Sequence, residues 1–140
     1  MKPLEESVAA VKAVLEAGRE AGIDFVLNAR TDALLRAAHG TPRQQTLDEA
    51  IRRGQAFLEA GAPVVFMPGL IARDEIKPMV EALGQRRLTV ISVPGKSLPT
   101  SELEELGVAR VSSGPFTQRV ALTSRVNDSR QNQRLSQTQP

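Results

Sequence analysis

Cysteine, tryptophan and tyrosine are absent from the 140 residues, and there is a single histidine. Without cysteine, disulfides, thiolate zinc sites and thiol nucleophiles are excluded within these residues. One histidine excludes any multi-histidine metal site. The four phenylalanines are the only aromatic side chains, which leaves few rings on which nucleobases could stack. No apolar run approaches the ~20 residues needed to span a bilayer. Met1-Lys2-Pro3-Leu4-Glu5-Glu6 leads into charged sequence without the apolar core of a signal peptide. Together these absences lead to the expectation of a cytoplasmic protein with no membrane-embedded part.

What is present is ordinary for a globular domain: 41% hydrophobic and 24% charged residues. The length suits one domain with a core, but falls short of the roughly 250 residues that a closed (β/α)8 barrel usually needs. The net charge of +2 comes wholly from residues 125–140, where Arg125, Arg130 and Arg134 face one carboxylate, Asp128, leaving residues 1–124 neutral. A basic surface for nucleic acid is not expected on the folded part.

Leu4, Val8, Val11 and Leu15 recur at the spacing of one apolar helical stripe, so a first helix is expected over about 4–21, ended by Gly18, Gly22 and Asp24. The apolar run Phe25–Ala29 reads as a strand covered on both faces. Leu34 to Gln45, with His39, Gly40 and Pro42, reads as a loop in which a lone histidine is solvated. Thr46 with Glu49 has the pattern of a capping box for a second helix that ends at Gly61, and Pro63–Met67 follows as a second strand. A third helix over Asp74–Leu83 tolerates Pro78 only near its first turn. Leu88–Val93 is the third strand. Thr100 or Ser101 caps a short helix through Leu106, Val108–Val111 is the fourth strand, and residues 115–124 form a last, weak helix.

This alternation predicts an α/β fold of parallel (β/α) units, with all strand ends on one side of the sheet. Ligands in such folds bind at the carboxyl ends of the strands. The first of those ends carries Asn28, Arg30, Thr31 and Asp32, polar groups that a buried strand can place at its mouth but cannot bury. Arg30 is therefore the leading candidate for a binding residue. The plainer reading is an Arg30 to Asp32 ion pair that only fastens the strand end. Pro68-Gly69, Pro94-Gly95-Lys96 and Ser112-Ser113-Gly114 close the other strands, and one pocket shared by all four mouths is expected.

Three motifs, Asn28-Ala29-Arg30-Thr31-Asp32-Ala33, Ala60-Gly61-Ala62 leading to Val65-Phe66-Met67-Pro68-Gly69-Leu70, and Leu106-Gly107-Val108-Ala109-Arg110-Val111-Ser112, resemble the isocitrate lyase and phosphoenolpyruvate mutase family in order and spacing. The resemblance covers about residues 3–122 and implies the carboxyl-terminal half of a TIM-type (β/α)8 barrel, strands five to eight. It also implies lyase or phosphonomutase chemistry: C–C or P–C bonds of pyruvate-like 2-oxo acids made or cleaved through a Mg2+-stabilised enolate. Arg30 then becomes the ligand of a substrate carboxylate or phosphonate, with Asn28 and Ser112 as weaker substrate contacts and Lys96 and Ser113 as further guesses.

The metal-holding acids of the family belong to strands that would precede Met1, so no Mg2+ ligand is assigned here and no catalytic residue is named. Pro68 stands where phosphonomutases carry a His and methylisocitrate lyases a Glu, so neither specificity is supported. The polar, basic tail over 125–140 departs from the family and is expected to be disordered. The expected partners are a small carboxylate or phosphonate, and either a second copy of the chain or a missing half-barrel. The alternative function is a non-catalytic module that binds an anion at its strand mouths.

Overall fold

Four helices alternate with four strands: α1 (Leu4–Glu20), β1 (Asn28–Arg30), α2 (Arg43–Glu59), β2 (Val64–Phe66), α3 (Arg73–Leu83), β3 (Leu88–Ile91), α4 (Thr100–Glu105) and β4 (Arg110–Ser112). The computed structural model describes residues 1–124, of which 116–124 add a further helical stretch. The expected disorder of 125–140 concerns residues outside that range.

Helices α1, α2 and α4 start directly after a proline. Pro3, Pro42 and Pro99 hold φ near −50° to −57°, and their carbonyls accept the first helical N–H bonds, from Ser7 (3.1 Å), Thr46 (3.3 Å) and Leu103 (3.1 Å). A proline loses nothing there, because its missing N–H had no helical partner to find. This corrects two expectations. There is no capping box at Thr46, since α2 begins one turn earlier and the Thr46 hydroxyl donates back to the Pro42 carbonyl at 3.3 Å. Neither Thr100 nor Ser101 caps α4.

The same three helices stop alike. In α2, Gly61 N–H donates to Leu58 O and Ala62 N–H to Phe57 O, both at 3.0 Å, the paired bonds of a Schellman end. Gly22 and Gly107 repeat it, and the glycines sit at φ of 64°, 105° and 88°, where a side chain would be strained. Pro78 lies in the second turn of α3, further in than expected. Pro78 and Asp74, whose carbonyl loses its helical donor, both lie on the exposed side of the helix.

The strands pair in parallel in the order β1-β2-β3-β4, with Asn28 opposite Val64, Phe66 opposite Thr89 and Ile91 opposite Ser112. Helical crossovers between sequential neighbours place the helices on one face. That face carries Ala29, Val65, Leu88 and Val90, which form the core with Val11, Phe57, Ile76, Met79 and Leu103. Each large side chain fully buried there contributes about 1.5–3 kcal/mol. Gly54 lets α2 approach: a Cβ there would lie 2.6 Å from Met67 Cε and 2.8 Å from Leu83 Cδ2.

By alternation the other face carries Asn28, Arg30, Val64, Phe66, Thr89, Ile91, Arg110 and Ser112. No described helix covers it. Two polar side-chain atoms there are buried without a hydrogen-bond partner, Asn28 Oδ1 and Thr89 Oγ1.

The first strand differs most from expectation. It is three residues long, and Phe25 and Val26, read as buried strand, are 40% and 72% exposed. β1 is an edge strand, so the apolar run leading into it has no neighbouring strand to cover it. No helix among the described residues is long and apolar enough to cross a membrane.

Candidate anion-binding site

Arg30 is the last residue of β1. The pairing continues one step beyond it, with Thr31 N–H donating to Phe66 O at 3.1 Å, which fixes the backbone at the strand mouth. The chain then turns sharply. The Thr31 hydroxyl accepts from Ala33 N–H, and the Asp32 carbonyl accepts from Leu35 and Arg36 N–H at 3.0 and 2.9 Å.

The Arg30 guanidinium lies 5.5 Å from the centre of the Phe66 ring, close enough for a cation–π contact. Its Nε donates to Asp32 Oδ1 at 2.7 Å, while Arg36 Nε stands 3.5 Å from Asp32 Oδ2. Two arginines thus share one carboxylate, leaving one positive charge in surplus.

Arg30 Nε is the only one of its nitrogens hydrogen-bonded among the described residues, and the side chain is 52% exposed. Other arginines here are used differently. Arg43 donates from both Nε and Nη2 to Glu75, at 2.6 and 2.7 Å, and Arg52 does the same to Glu49. Arg30 keeps its outer edge, the pair of Nη groups that matches a carboxylate or phosphonate in two parallel bonds. The ion pair with Asp32 and the anion-binding reading are therefore compatible: the first orients the side chain that the second needs.

Arg30, Asp32 and Arg36 line a cleft of about 330 Å³ that runs between the start of α1 and the inner side of α2, where Lys2 and Arg53 add positive charge. Arg53 is buried and held by Glu49 Oε1 at 2.6 Å and the Lys2 carbonyl at 3.0 Å. Lys2 pairs with Glu6 at 2.8 Å. The Arg52 guanidinium, helped by Arg53 against partial burial, holds the Glu49 carboxyl below the usual carboxylate range.

The loop after β2 borders the same mouth. Leu34 Cβ and Leu35 Cδ2 pack against Gly69, whose carbonyl accepts from Arg43 Nη2 at 3.0 Å. Arg43 at the start of α2 thereby ties Gly69 to Glu75 in α3, and the bond to Glu75 raises the Arg43 pKa further.

Among the described residues the mouth of β1 and the mouths of β3 and β4 line separate clefts. Asn28 lies on the same face as Arg30, two residues earlier, with its Oδ1 buried. Ser112 ends β4 at the opposite edge of the sheet, three inter-strand spacings or roughly 14 Å away. Its hydroxyl accepts from Gly114 N–H at 3.3 Å. Ser113 lines a separate cleft of about 310 Å³ with Ser92, Pro94 and Phe116. Lys96 and His39 are exposed, and Pro68 is buried. Sequence reasoning missed Arg36, although its spacing of four from Asp32 marks a possible contact, and Arg43, whose partner Glu75 is too distant in sequence for any local signal.

Mg2+ was implied by resemblance alone. Among the described residues no three His, Cys, Asp or Glu side chains come together to hold a metal ion. Asp32, the carboxylate at the mouth, is already shared by two arginines. The described residues do not fit the ion.

A one-sided parallel sheet of sequential units, with polar side chains at a strand mouth, defines an α/β protein built from the units of a TIM-type barrel. The family model for phosphoenolpyruvate phosphomutase matches residues 1–132, and the chain belongs to the phosphoenolpyruvate mutase/isocitrate lyase family. It is 34% identical over 105 residues to 2,3-dimethylmalate lyase of Eubacterium barkeri, covering 74% of this chain and 33% of that one. A solved Burkholderia cenocepacia protein assigned to the phosphonomutases superposes with a TM-score of 0.84 at 32% identity, over 94% of this chain and 52% of the other. Oxaloacetate acetylhydrolase, solved with its product oxalate, gives a TM-score of 0.76 at 25% identity, over 91% of this chain and 42% of its own. The chain thus spans about a third to a half of the length of these relatives.

Proposed function

We propose that the chain carries the anion-recognising part of a cytoplasmic lyase or mutase acting on C–C or P–C bonds beside a 2-oxo acid, with Arg30 as the ligand of the substrate carboxylate or phosphonate. The observation that supports this is the Arg30 side chain, fixed through Nε by Asp32 and stacked on Phe66, with both Nη groups left without a hydrogen-bond partner among the described residues. Held in that way, a planar anion is oriented as well as attracted, and orientation is the larger gift to a bond-breaking step. Asn28, on the same face, is the second contact in this reading, and Ser112, at the mouth of β4 on that face, a weaker one. Pro68 has no proton to give, so neither the His-dependent nor the Glu-dependent specificity of relatives is assigned. In the full reaction Mg2+ would stabilise the enolate oxygen; the reading assigns no ligand for it within residues 1–124.

A second reading, a non-catalytic anion-binding module, is favoured by that same lack of fit to the metal. Anion binding tests what the two readings share, and turnover tests what divides them. Oxalate titrated by calorimetry should bind, and Arg30→Ala should weaken it about 10- to 100-fold, since charged hydrogen bonds contribute about 1.5–3 kcal/mol. Arg30→Lys, which keeps the charge without the fork, should fall between. Unchanged oxalate affinity in Arg30→Ala would overturn both readings. Turnover of oxaloacetate or phosphonopyruvate with Mg2+ supports the enzyme and overturns the module, whereas binding without turnover is the result both readings expect of this stretch alone.

A further inference from the structure

The loop between β1 and α2, residues 31–42, begins immediately after Arg30 and is pinned at both ends to the mouth of β2. At its start Thr31 N–H donates to Phe66 O at 3.1 Å. Just past its end Arg43, the first residue of α2, donates from Nη2 to Gly69 O at 3.0 Å. Between the pins Leu34 and Leu35 pack on Gly69. The Leu35 and Arg36 N–H groups bond back to the carbonyl of Asp32, whose carboxylate holds Arg30 Nε. Arg43 is aimed in turn by Glu75 of α3, which accepts from its Nε and Nη2.

Arg73 offers a comparison within the same chain. It is the first residue of α3 and pairs with Glu102 of α4, just as Arg43 at the start of α2 pairs with Glu75 of α3. Both arginines join successive helices. Of the two, only Arg43 also bonds a strand mouth.

We propose that Arg43 is a positioning residue for the anion site: it holds the β1–α2 loop closed on Gly69 and so keeps Asp32, and through it Arg30, in the geometry that grips a carboxylate. The proposal rests on the reading of Arg30 as the anion ligand. A side chain already in place loses less freedom when the anion binds. If loss of the pin leaves the loop in place in about a tenth of the molecules, the apparent affinity falls about tenfold.

The test is calorimetric titration of oxalate into the parent chain, Arg30→Ala, Arg43→Gln and Arg73→Gln, each checked for folding by circular dichroism. Affinity should be about tenfold weaker in Arg43→Gln and unchanged in Arg73→Gln, with amide exchange at Leu35 and Arg36 faster only in the former. Arg43→Lys keeps the charge beside Glu75 but lacks the fork that bonds both partners. It should lie between, and it carries the same comparison if the glutamine variant does not fold. An equal loss in Arg73→Gln would mean general loosening and overturn the proposal. So would parent affinity in Arg43→Gln while Arg30→Ala binds weakly, an outcome that leaves the anion reading standing. Parent affinity in Arg30→Ala, or no oxalate binding to the parent chain, would remove the reading and the proposal together.

Discussion

Thr89→Val should make the protein more stable, against the usual direction of core substitutions. Thr89 lies at the centre of the sheet, between Phe66 and Arg110 in register, and is 0% exposed. Its hydroxyl oxygen has no hydrogen-bond partner. A buried hydroxyl left unpaired costs about 1–3 kcal/mol, because water satisfied it in the unfolded chain and nothing does in the fold. Valine keeps the β-branch and the strand preference while replacing the hydroxyl by a methyl group of similar size. Allowing for imperfect fit of that methyl, the expected gain is about 1–2 kcal/mol. For a chain of this length that raises the melting temperature by about 3–8 °C. Urea unfolding followed by circular dichroism, at the lowest concentration that gives a signal, should show a higher midpoint with an unchanged slope. A midpoint equal to or below that of the parent chain would refute the reasoning, since it would mean that the hydroxyl is already satisfied.

Leu70→Ala removes a fully buried side chain beside the Gly69 loop and should cost about 2–5 kcal/mol in the same unfolding assay. Gly61→Ala forces a side chain onto a φ of 105° and should cost about 1–3 kcal/mol; a neutral result would show that the end of α2 relaxes freely. Glu49 titrates below its ordinary range in the fold because of Arg52 and Arg53, so it stabilises above the unfolded value near 4.5 and that contribution is lost as the pH falls through the lower folded value. The stability gap between the parent and Glu49→Gln should therefore narrow in acid, and a gap independent of pH would sink the assignment. Arg43→Gln should loosen the Gly69 loop, seen as faster hydrogen exchange at Gly69 and Leu70 with the far β4 strand unaffected.

The sequence made the unit plan legible because its signals are local. Glycines 22, 61 and 107 stop their helices where the chain must take a positive φ, and apolar runs follow each stop. The starts were less legible. Thr46 and Glu49 have capping-box spacing, yet Pro42 four residues before Thr46 had already set a helical start, and Glu49 was drawn to Arg52 and Arg53. The burial of Phe25 and Val26 was misjudged for a different reason: hydrophobicity reports what a strand is suited to, whereas exposure depends on whether a neighbouring strand is there. At the site, Arg30 was visible as a polar residue at the end of an apolar run. Its state was not, because which nitrogens of a guanidinium are used depends on Asp32 and Phe66 in three dimensions. Ser112 lies at the mouth of the far edge strand, a distance that motif order alone does not encode.

The sequential strand order also has a kinetic consequence. Asn28 meets Val64, Val65 meets Leu88 and Thr89 meets Arg110, so every pairing closes a loop of roughly 20 to 40 residues, and the closure entropies differ by only about 0.5 kcal/mol. No pairing must wait for a much longer one. Folding can therefore begin at any neighbouring pair and spread in both directions, like a zip with several sliders.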